Sequence, residues 1–246
     1  MKEIKDLTIL VVDDEPDLGE LVAFEFELVG ANVFSASNGK EAFEIVKSNE
    51  IDVVVSDIRM PGGDGVELLE NLRSYHPSNP ALVFMTGFAD ITLEDAYDKG
   101  AVAMFGKPFN RNELIDTVGK SVLRYDEKWG SELAVKEGAF QHVLSCKGID
   151  EALEKQMIKL GKGGLFLSVS DKLPAVSDTI HFKLEFESGS LGSLEGEGIV
   201  RWVRRQNEQD LPKGVGLEVS SIVGDSRKHV IELFENQKSV AYIPKG

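Results

Sequence analysis

Short apolar runs alternate with helix-patterned segments over the first 125 residues of this 246-residue chain. Leu7–Val12, Ala31–Ala36, Ile51–Ser56, Ala81–Met85 and Ala101–Phe105 read as five strands. Between and after them, apolar positions recur every three or four residues, as one face of a helix requires. These helices are expected from beyond the interruption Asp13–Pro16 to about Val29, closed by Gly30, then after Asn38, and at Val66–Tyr75, Ile91–Lys99 and Arg111–Leu123. Asn38 and Glu41 have the spacing of a capping box. Near-continuous apolar strands that alternate with helices predict a doubly wound, five-stranded parallel sheet covered on both faces.

Beyond a polar stretch at Asp126–Gly138 the pattern changes. Ile180, Phe182, Leu184 and Phe186 alternate with His181, Lys183, Glu185 and Glu187, a period of two with one buried face. Leu165–Val169, Gly198–Val203 and Val215–Val219 also read as strands. Ile149, Ala152, Leu153, Met157 and Leu160 sit at helical spacing, and a last helix is expected over Arg227–Asn236. The chain therefore divides into an α/β domain at 1–125, a linker at 126–138 and a mainly-β domain at 139–240.

Hydrophobic residues make up 42% and charged residues 28%, as in folded globular chains. No run approaches the roughly 20 apolar residues of a membrane span, and the start of the chain has no apolar signal core. A single cysteine, Cys146, excludes an internal disulfide and fits a reducing, cytoplasmic setting. The net charge of −15 is uneven: 11 Lys and Arg face 23 Asp and Glu up to Tyr125, and 16 face 19 beyond it. So acidic a chain argues against direct DNA binding, which needs cations to displace counterions. The four histidines, His76, His142, His181 and His229, have no metal-ligand spacing.

Sites in open parallel sheets form beyond the carboxyl ends of the strands. Asp13 and Asp14 follow the first strand, Asp57 the third, Thr86 ends the fourth, and Lys107 lies two residues past the fifth. Where those strands are neighbours, the side chains converge. Crowded carboxylates need a cation, and a few hard oxygen ligands with open water positions suit Mg²⁺. Asp57 could then act as a nucleophile toward phosphorus, forming an acyl phosphate, with Lys107 as a point charge on another phosphoryl oxygen. Taken alone, Asp13-Asp14-Glu15 is better explained as a helix cap, and only the whole constellation reverses that reading.

Four stretches carry a family resemblance: Ile9–Glu15 (ILVVDDE), Val53–Gly62 (VVVSDIRMPG), Phe84–Gly87 (FMTG) and Gly100–Phe109, which ends in Lys107-Pro108-Phe109. Together they resemble the receiver domain of two-component response regulators over about 120 residues. The resemblance implies that Asp57 accepts a phosphoryl group from a histidine kinase or phosphotransfer protein. It also implies that Asp13, Asp14, Asp57 and the backbone carbonyl of Arg59 hold Mg²⁺, and that Thr86 and Lys107 sense the phosphoryl group. A cis Lys107–Pro108 bond is expected with it. The family's aromatic switch position is occupied by Met104, with Phe105 beside it.

In the second half, Leu160–Leu167 (LGKGGLFL), Gly196–Val203 (GEGIVRWV) and Gly214–Val219 (GVGLEV) resemble a PilZ domain, a six-stranded barrel that often binds cyclic di-GMP. That family's ligand arginines are absent, since no arginine lies between Arg124 and Arg201. Its Asp/Asn-x-Ser-x-x-Gly turn aligns with Lys159–Gly164, where only Gly164 is kept. Charge-assisted hydrogen bonds contribute about 1.5–3 kcal/mol each, so cyclic di-GMP is expected to bind weakly or not at all. Arg201, Arg204 and Arg205 surround Trp202 on a later strand, with Trp202 read as core.

The expected function is a phosphorylated response regulator that signals through its β domain to an unidentified protein partner, with no enzymatic activity beyond its own phosphotransfer and autodephosphorylation. A cyclic di-GMP receptor under receiver control is the alternative. A haloacid-dehalogenase-type phosphatase would carry its nucleophile after the first strand, whereas Asp57 follows the third. A transcription factor would need a DNA-binding output, and no helix-turn-helix pattern follows the first domain.

Overall fold

The computed structural model describes residues 3–87, 91–134, 140–170, 172–189, 192–208, 211–225 and 227–245. They form two compact units: residues 1–92 with 99–123, and residues 93–98 with 124–246.

In the first unit, β1 (Thr8–Val12), β2 (Asn32–Ala36), β3 (Val53–Asp57), β4 (Ala81–Thr86) and β5 (Ala103–Gly106) make a sheet in the order β2-β1-β3-β4-β5. Every neighbouring pair is parallel. The helices are α1 (Pro16–Leu28), α2 (Gly39–Ser48), α3 (Gly65–Tyr75) and α5 (Arg111–Ser121); α4 (Leu93–Asp98) belongs to the second unit. Ile9, Val11, Val53, Val55, Val83 and Met85 pack with Val22, Ala23 and Phe26 of α1 and Leu114 and Val118 of α5. Leu10, Val12, Val54 and Phe84 point the other way by strand alternation and are equally buried. Both faces are thus covered, which is why these strands lack a polar alternation.

Local chemistry sets the helix starts. Asn38, Asp64 and Asn110 cap α2, α3 and α5 by accepting the backbone N–H three residues on. The Glu41 carboxylate reaches back to Ser37, at 2.9 Å from its N and 2.8 Å from its Oγ. That is one residue earlier than a capping box on Asn38 would place it.

The second unit holds α6 (Tyr125–Lys128), β6 (Phe140–Cys146), α7 (Ile149–Glu154), β7 (Ile158–Leu160), β8 (Gly164–Ser168), β9 (Thr179–Phe186), β10 (Ser193–Arg204), β11 (Gly214–Val223) and α8 (Arg227–Glu235). Its sheet runs β6-β9-β10-β11-β8-β7, with β6 parallel to β9 and the other pairs antiparallel. Among the described residues no ladder joins β6 to β7, so the hydrogen bonding is that of an open six-stranded sheet. Phe182, Leu167, Val200, Leu217 and Ile222 form its core with Trp129 and Phe234.

Three expectations change here. The helix read from Ile149 to Leu160 stops at Glu154, because Gln156 takes a left-handed φ of 53°, and Ile158–Leu160 becomes a strand. Within the stretch read as a linker, Trp129 is 2% exposed and belongs to the core of the second unit; residues 135–138 lie outside the described residues. Packing also continues past position 240, since Ala241, Tyr242 and Ile243 are buried. Trp202 is buried against Phe166, as expected of a core residue.

Candidate functional site

The strand order puts β1 beside β3, β3 beside β4 and β4 beside β5. Their carboxyl ends therefore share one edge of the sheet, where the order reverses on either side of β1. Asp13 follows β1, and Asp57 and Thr86 are the last residues of β3 and β4. All three are buried, at 5%, 7% and 6% exposure, and for the two aspartates that is unusual unless the carboxylate has a partner.

The partners are visible. Lys107 Nζ lies 2.6 Å from Asp57 Oδ2 and 2.9 Å from Asp13 Oδ2. Burial works against the ammonium charge, but the hydrogen bonds to Asp57 and Asp13 outweigh it and hold the Lys107 pKa above its ordinary value. Asp57 Oδ1 accepts the backbone N–H of Ile58 at 2.5 Å and of Arg59 at 3.4 Å. Asp13 Oδ1 accepts the N–H of Glu15 at 3.0 Å. One carboxylate oxygen from each of Asp13, Asp14 and Asp57 lies within 4.8 Å of the others. Neither Asp13 nor Asp14 caps α1, which begins at Pro16 with Glu15 as an N-cap that makes no side-chain bond. The cap reading of that turn is not realised, and the carboxylates are left to the pocket.

The backbone around the pocket is tightly set. Lys107 N donates to Thr86 O at 2.7 Å, and the Lys107–Pro108 bond is cis, as expected. Gly65 N donates to Ile58 O, and a Cβ at Gly65 would stand 2.2 Å from Asp57 O. Gly65 was not singled out from the sequence, where Met60–Gly65 reads only as a loop; its glycines are the signal that could have pointed to a close backbone approach. Phe105 packs into the core shared with α1 and α5, edge-on to Phe109 at 6.5 Å. It therefore points away from the face that Met104 takes and does not replace an aromatic there. Phe88 lies outside the described residues.

The donor set fits Mg²⁺: three carboxylate oxygens, hard and clustered, at an edge open to water through Asp14. Three acids against one lysine also leave the pocket short of positive charge, which a divalent ion would supply.

Residues 9–119 match the family model described as "Response regulator receiver domain". The sporulation initiation phosphotransferase F of Bacillus subtilis is 33% identical over 113 residues, covering 46% of this chain and 90% of that protein. The DNA-binding transcriptional regulator NtrC of Escherichia coli K12 is 33% identical over 121 residues, 49% of this chain. The chain spans about a quarter of NtrC, 26% of its length. Among solved structures, response regulator TrrA from Thermotoga maritima, in complex with Mg(2+)-BeF, is 32% identical with a TM-score of 0.44, covering 47% of this chain and 98% of that one. Receiver domains are signalling phosphoacceptors that bind Mg²⁺ at their acidic pocket and interact with histidine kinases or phosphotransfer proteins. Among the described residues no helix is long and apolar enough to cross a membrane. With its acidic strand-end pocket and a relative matched over nearly its full length, the chain belongs to the response regulator receiver family, through residues 9–119.

Proposed function

We propose that Asp57 is the phosphoacceptor of this chain, and that the second unit reads out its state. A carboxylate oxygen of Asp57 attacks phosphorus of a phosphohistidine donor. The P–N bond breaks, its electron pair stays with the imidazole, and an acyl phosphate is left on Asp57. Asp13, Asp14 and Asp57, with the carbonyl of Arg59, would hold Mg²⁺, which would offset charge on the phosphoryl oxygens. Lys107 binds a further phosphoryl oxygen, and the Thr86 hydroxyl takes another. The observation that carries this reading is the ammonium of Lys107 at 2.6 Å from Asp57 Oδ2, beside two more aspartates. Membership in the receiver family supports this reading over the dehalogenase-type alternative.

For the second unit we favour a protein-interaction module of PilZ type without cyclic di-GMP recognition. The arginines nearest the glycine-bordered strands are already engaged. Arg201 Nε and Nη2 lie 2.6 Å from Glu218 Oε2. Arg204 bonds Pro212 O at 2.9 Å and pairs with Glu94.

The test is intact-mass spectrometry after acetyl phosphate and Mg²⁺. A hydroxylamine-labile phosphoryl adduct is expected on the wild type and none on Asp57→Asn; no adduct on the wild type, or an equal one on the variant, refutes the assignment. Calorimetric titration showing tight cyclic di-GMP binding would overturn the reading of the second unit.

A further inference from the structure

Within the second unit, the segment Ala241–Lys245 follows α8 and the polar stretch Asn236–Ser239. It makes no regular ladder, yet Ala241, Tyr242 and Ile243 are 3%, 7% and 0% exposed. One side of it lies on the turn Gly161–Gly164. Lys162 N donates to Ala241 O at 2.9 Å, and Gly163 N to Tyr242 O at 2.8 Å. A Cβ at Gly163 would stand 2.0 Å from Cζ of the Tyr242 ring, and one at Gly161 would stand 2.6 Å from Tyr242 O. The glycines of this turn are thus the floor on which the segment lies. Tyr242 OH donates to Glu218 Oε1 at 3.2 Å and contacts Lys128 Nζ, closing a buried polar network around the ring.

The other side of the same segment holds α4. Tyr242 N donates to Tyr97 O at 2.8 Å, and the two rings stack at 6.1 Å. Lys245 N donates to Asp98 Oδ1 at 2.9 Å, and Lys245 Nζ pairs with Asp95. Arg204, 3% exposed, joins both partners: Nη2 donates to Lys245 O at 2.7 Å and pairs with Glu94. A six-residue helix has too few internal bonds to hold itself. Its order within the second unit comes from these contacts.

In sequence, α4 begins seven residues after Thr86 and ends five before β5, the strand that leads to Lys107. We propose that Ala241–Lys245 is a strap: docked on the Gly161–Gly164 turn, it holds α4 in the unphosphorylated arrangement, and its release favours the phosphorylated one. The regulatory half rests on Asp57 being the phosphoacceptor; the strap itself does not. Linkage requires the two effects to be reciprocal, so a phosphoryl mimic at Asp57 loosens the strap as strap release tightens the mimic.

Hydrogen exchange on the full chain tests this, with peptides covering residues 91–100. Gly163→Ala pushes the Tyr242 ring without touching α4. Tyr242→Ala removes the ring and leaves the turn intact. Unchanged fluorescence of Trp129 and Trp202, and unchanged exchange of β10, qualify a variant as folded. In either folded variant, exchange of 91–100 is expected to rise at least about tenfold and the apparent affinity for beryllofluoride with Mg²⁺ to rise about fivefold, the low end of typical couplings. Unchanged exchange of 91–100 overturns the strap. Raised exchange with unchanged beryllofluoride affinity overturns its regulatory role while leaving Asp57 in place. A wild type whose receiver peptides ignore beryllofluoride refutes the phosphoacceptor reading instead.

Discussion

Replacing Lys107 by alanine leaves two buried carboxylates facing each other. The Asp13 side chain is fully buried, that of Asp57 is 10% exposed and that of Lys107 is 16% exposed, so bulk water screens the group little. Removing one member of such a cluster costs about 3–5 kcal/mol. The pocket opens toward Asp14, so water and ions reach its rim, and we take the lower end, about 3 kcal/mol. That is roughly a hundredfold in the folding equilibrium of the first unit. Both tryptophans, Trp129 and Trp202, lie in the second unit, so their fluorescence does not follow this change. Far-UV ellipticity and hydrogen exchange of β1 and β3 do, in urea and on the full chain. With EDTA present, Lys107→Ala is expected to lose about 3 kcal/mol. Excess Mg²⁺ should restore more stability to the variant than it adds to the wild type, because the ion then supplies the missing positive charge. A loss below about 1 kcal/mol, the value of an exposed pair, or equal stabilisation of both proteins by Mg²⁺, refutes the electrostatic account of the pocket.

Gly65→Ala places a methyl 2.2 Å from Asp57 O; displacement of the β3 end is expected to slow adduct formation with acetyl phosphate by about tenfold or more, since misplacement near 1 Å can cost about a hundredfold, and wild-type kinetics would refute it. The buried Arg73 donates to Pro80 O at 3.0 Å and Gly100 O at 3.1 Å, with burial lowering its pKa to about 10. Arg73→Ala should destabilise the first unit by about 3 kcal/mol in urea, two charge-assisted bonds being lost. Burial raises the Tyr125 phenol to about 12 and pushes Tyr97 and Tyr242 higher still. Folded values above the unfolded one mean that this stability is full below pH 10 and is lost as pH rises through about 12. Tyrosinate absorbance of Tyr242 should therefore appear together with loss of Trp fluorescence, and ionisation of all four tyrosines in a still-folded chain would contradict the burial.

The first unit was largely legible because its signals are local. Five apolar runs, their helices and the residues at strand ends follow from spacing, and the strand-end rule then says which side chains meet. Asp13, Asp57, Thr86 and Lys107 are 13 to 107 positions along the chain, yet only the strand order was needed to bring them to one edge. The Glu41 carboxylate missed its expected partner by one residue because Ser37 offers it both an N–H and a hydroxyl, while the Asn38 side chain accepts Glu41 N and turns its Nδ2 to Ser37 Oγ. In the second unit β6 went unread, although Phe140, His142, Leu144 and Cys146 are more buried than Gln141, Val143 and Ser145. An exposed Val143 and a half-buried His142 blur the alternation that periodicity depends on.

Ala241–Lys245 shows where spacing stops informing. Nothing in Ala-Tyr-Ile-Pro-Lys distinguishes a solvated stretch from a packed one, and Pro244 argues against a central strand. Its burial is decided by glycines eighty positions earlier, which have no side chain to record what lies on them. The same absence makes Gly161-Lys162-Gly163-Gly164 ambiguous in sequence. A tight turn, a nucleotide cradle and a seat for an aromatic ring all call for glycine. Only the Tyr242 ring over Gly163, with two backbone N–H groups already donating to the segment that carries it, separates these alternatives. A ligand contacting the backbone of this turn would have to displace Tyr242 first, so the hydrogen-exchange test of the strap also bears on whether the turn has room for one.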